Sequence, residues 1–218
     1  GRIDGALARL GRADWCGAPE GDGSAVWLRL GEAAPVRFAV EDPLKPDAAE
    51  TVAAFRARGL EVRLISGDAP GPVARAAAAA GIETHEARAT PETKVARLEA
   101  LAAEGRTVLM IGDGINDAPA LAAAAASISP AEAADVSRAS AGLVLAGAAL
   151  SPAVLALDVA RAAKSRALEN FAMAAAYNAV AVPAAAFGFV TPLVAALAMS
   201  GSSIAVTLNA LRLRGYRR

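Results

Sequence analysis

Apolar positions change rhythm twice along the chain. In residues 1 to 40 they alternate with polar ones in short runs, "SAVWLRLG" and "APVRFAV", separated by Gly-rich turns; period two predicts strands and no long helix. From Glu41 the runs lengthen. "AAETVAAFRARG" predicts a helix ended by Gly59, "LEVRLIS" a strand, and "PVARAAAAAG" a helix ended by Gly81. "PETKVARLEALAAEG" predicts a helix with Pro91 near its start and Gly105 at its end, and "TVLMIG" a further strand. Such alternation predicts βα units around a parallel sheet with helices on both faces. "AAAAASISPAEAADVSRASAGLVLAG" continues it in small elements, and "SPAVLALDVARAAKSRALEN" predicts a helix.

The second change of rhythm is a loss of charge. Phe171 to Leu211 contains no charged residue, and it divides into "FAMAAAYNAVAVPAAAFGFV" and "PLVAALAMSGSSIAVTLNAL", about 171–190 and 192–211. Each approaches the ~20 residues with which a helix crosses the hydrocarbon core. A buried apolar hairpin is the other reading. Arg161, Lys164 and Arg166 precede the first span, Arg212, Arg214, Arg217 and Arg218 follow the second, and the connection "GFVTP" is short and uncharged. The positive-inside rule then puts the soluble part and the C-terminus in the cytoplasm.

Composition narrows the classes. Hydrophobic residues make up 55% of the 218 and aromatics only 4%, with alanine abundant, which favours helices over a sheet sandwich. The formal net charge is zero, so no global field points to nucleic acid. One cysteine, Cys16, excludes an internal disulfide, and one histidine, His85, excludes a His/Cys metal cluster. Cys16 is expected to be a small buried side chain and His85 a surface residue. "GRIDGALARLGRADW" has neither an initiator Met nor an apolar leader core, and it is expected to lie within a longer polypeptide.

Ligands of open parallel sheets bind beyond the carboxyl ends of the strands. There "LEVRLI" runs into Ser66-Gly67-Asp68, and "TVLMI" into Gly112-Asp113-Gly114-Ile115-Asn116-Asp117; Lys94 lies in the first turn of the helix starting near Pro91. Phosphoryl transfer with a divalent metal wants these types together. A hydroxyl and backbone amides hold phosphate oxygens, an ammonium neutralises them, and carboxylates hold Mg2+. Gly112 and Gly114 are expected to let the backbone turn sharply near the metal. Each part alone also reads as an ordinary turn or a solvated lysine.

Together they resemble a known family. "GDGINDAPAL" resembles the hinge-proximal signature of P-type ATPases, which belong to the haloacid dehalogenase-like phosphotransferases. "DPLKPDAAETVAAFRARGLEVRLISGD" is similar to the preceding segment of their phosphorylation domain, with Ser where many members have Thr, and "PETKVARLEAL" to the segment carrying its lysine. The resemblance implies that Asp113 coordinates Mg2+ with support from Asp117. It also implies that Asn116 helps position the phosphate region, Lys94 stabilises phosphoryl oxygens, Ser66 and Gly67 hydrogen-bond them, and Asp68 is a nucleotide- or hinge-side contact.

The implied architecture is an α/β haloacid dehalogenase-like parallel sheet with flanking helices (41–150). It is preceded by the β-rich tail of a nucleotide-binding domain (1–40) and followed by a linker helix and two transmembrane helices (151–218). "LARLGRADWC" stands where heavy-metal members place a Leu-Gly-Asn-like turn beside ATP, but Arg12 replaces the Asn. Neither the phosphorylated Asp-Lys-Thr-Gly nor the Thr-Gly-Glu loop occurs in the chain. The chain alone is therefore expected to be inactive, its partner being the missing N-terminal part of the pump.

Taken alone, the polar residues of the spans read as interface anchors and close-packing small residues. "YN" before Pro183, "MSGSS" and "LNALRL" resemble the last two membrane helices of copper(I)-transporting members, "MSxSS" being similar to the subgroup linked to cytochrome oxidase assembly. That implies Tyr177, Asn178, Met199, Ser202 and Ser203 as contacts to transported Cu(I), for which a thioether is suited. It also implies a bacterial plasma membrane, and a copper chaperone or cuproprotein acceptor as a further partner. Zinc and cadmium members are expected to carry Asp and Lys in these spans, and neither is present. A pump for another heavy metal, a membrane-tethered regulator or pseudoenzyme, and a soluble phosphatase of the same superfamily are the competing readings.

Overall fold

In the computed structural model, residues 1–19, 25–39 and 43–216 are described, without the side chains of Arg214 and Tyr216. Ser24, Val40, Glu41, Asp42, Arg217 and Arg218, which entered the readings above, lie outside them. The chain divides into two compact units, Gly1–Ser151 and Pro152–Arg218.

The first unit opens with an antiparallel sheet of β1 (Arg2–Ile3), β2 (Ala6–Gly11), β3 (Ala25–Leu30) and β4 (Val36–Ala39), in that order. A short helix, α1 (Ala13–Cys16), follows β2 and ends at Gly17, whose φ of 64° suits glycine. The register pairs Leu10 with Leu28, Leu28 with Val36 and Val26 with Phe38. Cross-strand partners share a face, so one face is a continuous apolar row. Leu10, Val36 and Phe38 on it are at least half exposed. The alternate row holds Arg9, Arg29, Trp27 and Arg37. Cys16 is fully buried, its thiol donating to the Trp27 carbonyl at 3.2 Å, and His85 is exposed.

The alternating region comprises α2 (Ala48–Ala57), β5 (Arg63–Ile65), α3 (Pro70–Ala80), β6 (Thr84–Glu86), α4 (Pro91–Ala103) and β7 (Leu109–Ile111). After these come a 3-10 turn (Ile115–Asp117), α5 (Ala118–Ala123), β8 (Ala126–Pro130), α6 (Asp135–Ser140) and β9 (Leu143–Leu145). Every ladder here is parallel, as the alternation predicts. They form two sheets, β5-β6 and β7-β8-β9. Each of β5 and β7 therefore pairs along one edge only among the described residues. Phe55, Val73, Ala77, Leu98, Leu121, Ile128 and Leu145 fill the core, and small alanines let the short elements approach closely.

Side-chain ties run between the halves. Lys94 of α4 meets Asp117 after β7, and Arg106 before β7 meets Glu61 before β5. Glu61 also accepts from Arg63. Hydrogen bonds from Arg63 and then Arg106 hold the Glu61 carboxyl at a pKa of about 2.

The second unit is a helical pair. α7 is one 35-residue helix, Pro152–Ala186, running through both the expected linker and most of the first expected span. Its backbone closes with Phe187 and Phe189 donating to the Pro183 and Ala184 carbonyls, and Gly188 takes φ 78°. α8 (Pro192–Leu211) starts at Thr191, whose hydroxyl accepts from the Val194 N–H. Among the described residues α8 is the helix long and apolar enough to cross a membrane. α7 and α8 are pinned by Asn209, whose amide donates to Glu169 at 3.1 Å and Asn170 at 2.9 Å. Arg166 shares the Glu169 carboxylate at 2.6 Å.

Candidate functional site

Two strand ends and one helix start build the site. Ser66 follows the last residue of β5, and its loop is stitched to the loop after β6. Ser66 donates its N–H to the Glu86 carbonyl, Ala89 donates to the Ser66 carbonyl and Arg88 to the Asp68 carbonyl, all at 2.9 Å. Arg88 adopts a left-handed φ of 55° to make that turn. Gly67 lies close against it, since a Cβ there would stand 3.4 Å from the Ala89 carbonyl oxygen. The Ser66 hydroxyl donates to Asp68 Oδ2 at 2.8 Å and accepts from the Asp68 N–H at 3.2 Å.

The stitched loop leads straight into α4. Thr90 caps it, its hydroxyl accepting from the Thr93 N–H at 3.2 Å, and Pro91 occupies the first helical position. One turn later Lys94 reaches Asp117, Nζ to Oδ1, at 2.5 Å, the two side chains being 10% and 11% exposed. A buried ammonium needs such a partner, and the carboxylate is satisfied from its other oxygen by the Gly114 N–H at 3.2 Å.

The glycines around Asp117 follow from its bulk. A Cβ on Gly112 would lie 3.0 Å from the Asp117 Cβ and 3.1 Å from its Oδ2, and one on Gly114 would lie 3.3 Å from Oδ2. Neither glycine has a positive φ. Their small size makes room for a carboxylate and does not serve a left-handed turn. Ser137 of α6 is fully buried and donates its hydroxyl to the Gly114 carbonyl, fastening the loop from behind.

The structure therefore brings Lys94, Gly112, Gly114 and Asp117 together. Asp113 and Asn116 stand on the same loop with exposed side chains. Ser66, Gly67 and Asp68 are held beside the start of α4 through the 86–90 loop. The Asp113 carboxylate makes no hydrogen bond among the described residues, so its oxygens are available. That fits Mg2+, which takes one or two carboxylates and completes its shell with water and phosphate. No cluster of three or more His, Cys, Asp or Glu side chains able to hold a metal occurs among the described residues. Thr90 and Ser137 escaped the sequence reading. The Thr-Pro-Glu cap signature announces Thr90, whereas nothing local announces Ser137, 23 residues from the carbonyl it holds.

In the helical pair, Tyr177 and Asn178 lie on α7 and Met199, Ser202 and Ser203 on α8. Met199 is 66% exposed. Ser203 donates to the Met199 carbonyl at 3.1 Å and Thr207 to the Ser203 carbonyl at 2.9 Å, both along their own helix. Among the described residues no hydrogen bond links these α7 and α8 positions to each other. Arg12, in the region resembling a nucleotide turn, precedes α1 without a side-chain capping bond and sits 3.7 Å from Asp14 in solvent.

Known proteins resemble the chain in sequence and fold. Residues 4–125 match the haloacid dehalogenase-like hydrolase family. The nitrogen fixation protein FixI of Bradyrhizobium diazoefficiens is 46% identical over 99% of the chain and 31% of its own length. A copper-exporting P-type ATPase of Mycobacterium tuberculosis is 38% identical over 100% of the chain and 30% of its own length. The crystal structure of a zinc-transporting PIB-type ATPase in the E2.Pi state superposes with a TM-score of 0.77 at 27% identity, covering 97% of this chain and 36% of the other. The chain thus spans about a third of the length of the relatives it matches. Matched over more than half its length, the chain belongs to the haloacid dehalogenase-like hydrolase family, and FixI and copper-exporting P-type ATPases are its homologues.

Proposed function

We propose that the chain is the C-terminal portion of an ATP-driven Cu(I)-exporting P-type ATPase, supplying the Mg2+ and phosphate side of the phosphorylation site and part of the membrane metal path. The observation that carries this reading is the buried Lys94–Asp117 pair at 2.5 Å, with the unbonded Asp113 carboxylate on the same loop. Asp117 holds the ammonium in place, so that Lys94 presents positive charge where phosphoryl oxygens gather. Asp113 would hold Mg2+, which supplies charge neutralisation on the transferring phosphoryl group. On the opposite loop the Gly67 N–H would donate, joined by the Ser66 hydroxyl once it turns from Asp68.

The rest of the pump would contribute the phosphorylated Asp. Unpaired edges on β5 and β7, in two sheets tied together by side chains, suit an added parallel strand bearing it. The exposed apolar row of the β1–β4 sheet suits further cover from the same part. In the helical pair, Met199 offers a thioether to Cu(I), Tyr177, Asn178, Ser202 and Ser203 add harder contacts, and no carboxylate or lysine lies within residues 171–211 to favour Zn2+. We place α7 and α8 in a bacterial plasma membrane, the first unit and the C-terminus cytoplasmic, with a copper chaperone or cuproprotein acceptor as partner.

The test is reconstitution with a separately expressed N-terminal portion carrying Asp-Lys-Thr-Gly and Cys-Pro-Cys, assayed for Mg2+-dependent phosphoenzyme from ATP. Copper-stimulated phosphoenzyme that disappears with Asp113→Ala is the expected result. Associated halves without phosphoenzyme point to a regulator, and stimulation by Zn(II) alone removes the copper assignment.

A further inference from the structure

The Asp113 side chain is exposed and makes no hydrogen bond among the described residues, so its placement rests on how its backbone is held. Gly112 donates its N–H to the Ile128 carbonyl of β8 at 3.2 Å, and within the loop Asp117 donates to the Gly114 carbonyl at 2.9 Å. Further holds come from α6 and the residue before it. The Ala134 N–H reaches the Asp113 carbonyl at 3.3 Å, and the Ser137 hydroxyl donates to the Gly114 carbonyl. Consecutive carbonyls are thus gripped by one element, which fixes the two peptide planes that follow the Asp113 Cα.

That grip answers a weakness of the loop. Gly114 has to be small because Asp117 crowds it, and a glycine leaves the backbone beside Asp113 with the widest conformational freedom. Ser137 is fully buried, so water does not compete for the carbonyl it holds. The gripping element is itself anchored. Arg138 donates to the Ala131 carbonyl at 2.9 Å and pairs with Asp135, while Ala131 donates to the Leu145 carbonyl of β9 at 2.9 Å. Through these bonds the loop is referred to the β7-β8-β9 sheet.

We propose that Ser137, seconded by the Ala134 N–H, is a positioning residue for the Asp113 carboxylate, and that the affinity of this loop for a divalent cation depends on it. The inference rests on the reading of Asp113 as the Mg2+ ligand. Ser137 is no ligand, being buried and engaged with a carbonyl; it acts by keeping the ligand's backbone in one arrangement before the cation arrives.

The test is a Mn2+ titration of the full chain in detergent micelles, Mn2+ standing in for Mg2+, followed by paramagnetic broadening of the Asp113 and Gly114 amide signals. Ser137→Ala is expected to raise the Mn2+ concentration that half-broadens them by at least about threefold, toward the roughly ten- to hundredfold losses typical where a ligand's supporting partner is removed. The Leu98 and Leu121 amides are expected to keep their exchange protection, as an intact core requires. Ser137→Cys keeps nearly the same shape with a weaker donor and is expected to fall between; a cysteine variant that binds like the parent assigns the effect to volume and overturns the role of the hydrogen bond. Parent affinity in Ser137→Ala, with broadening abolished by Asp113→Ala, overturns this proposal and leaves the Mg2+ reading standing. Broadening that survives Asp113→Ala removes the Mg2+ reading and this proposal with it. Where Ser137→Ala loses core protection, Ala134→Pro decides by the same titration, since proline takes the φ of −56° found at Ala134 and removes its N–H: weaker binding supports the positioning, and unaltered binding refutes it.

Discussion

Replacing Asp117 by alanine removes the counter-charge of an ammonium that is nine-tenths buried. Breaking a buried pair by deleting one partner costs about 3–5 kcal/mol, because the remaining charge is left without compensation. The lost acceptor for the Gly114 N–H adds about 1 kcal/mol. For a chain of this size each kcal/mol lowers the midpoint by about 2–4 °C, so Asp117→Ala is expected to melt about 10 °C or more below the parent. Lys94→Met costs less, since the stranded carboxylate keeps the Gly114 N–H and admits water or a cation from the Asp113 side. The double variant has no unpaired charge, and its cost falls short of the summed single costs by about 2–3 kcal/mol. Urea unfolding of all four chains, followed by circular dichroism, closes the cycle. Single-variant costs that add to within about 0.5 kcal/mol refute the pairing as the source of the stability.

Three shorter predictions concern other contacts. Gly112→Ala puts a methyl 3.0 Å from the Asp117 Cβ and is expected to destabilise by about 1–3 kcal/mol, and more than Gly114→Ala, whose nearest contact is 3.3 Å; the order of the two unfolding midpoints checks this. Glu61 titrates at about 2, below the ordinary carboxylate value, so its contribution to stability is fully present above that ordinary value and is lost as pH falls through about 2. An NMR titration of its side chain should follow this course, and raised salt should move the pKa upward. Asn209→Leu removes both donors between α8 and α7 and is expected to weaken the helical pair by about 1 kcal/mol, read as faster amide exchange at Glu169 and Asn170.

Punctuation made much of the fold legible. Gly59, Gly81, Gly105 and Pro91 mark helix ends because they act through local backbone geometry, and α2, α3 and α4 stop within two residues of where those signals put them. Strand lengths were less legible. "LEVRLIS" yields only Arg63–Ile65, because pairing along a single edge decides where a ladder ends, and a sequence does not display its partners. The charge boundary at Phe171 is a change of side chains and not of backbone, and α7 runs through it without a break. At the site, Lys94 and the Asp113–Asp117 loop were visible as chemistry on strand and helix ends. The reason for Gly112 and Gly114 was not, since the crowding by Asp117 exists only once the loop is folded.

The unbroken course of α7 has a mechanical consequence. At 1.5 Å per residue its 35 residues extend about 52 Å, against a hydrocarbon core of about 30 Å. In the membrane placement proposed above, about 20 Å of helix would stand clear of the lipid interior. No glycine interrupts the helix, and Pro183, near its far end, is the only proline beyond its first residue, Pro152. The whole helix is a stiff lever arm: a tilt of about 10° about one end carries the other, about 52 Å away, sideways by roughly 9 Å.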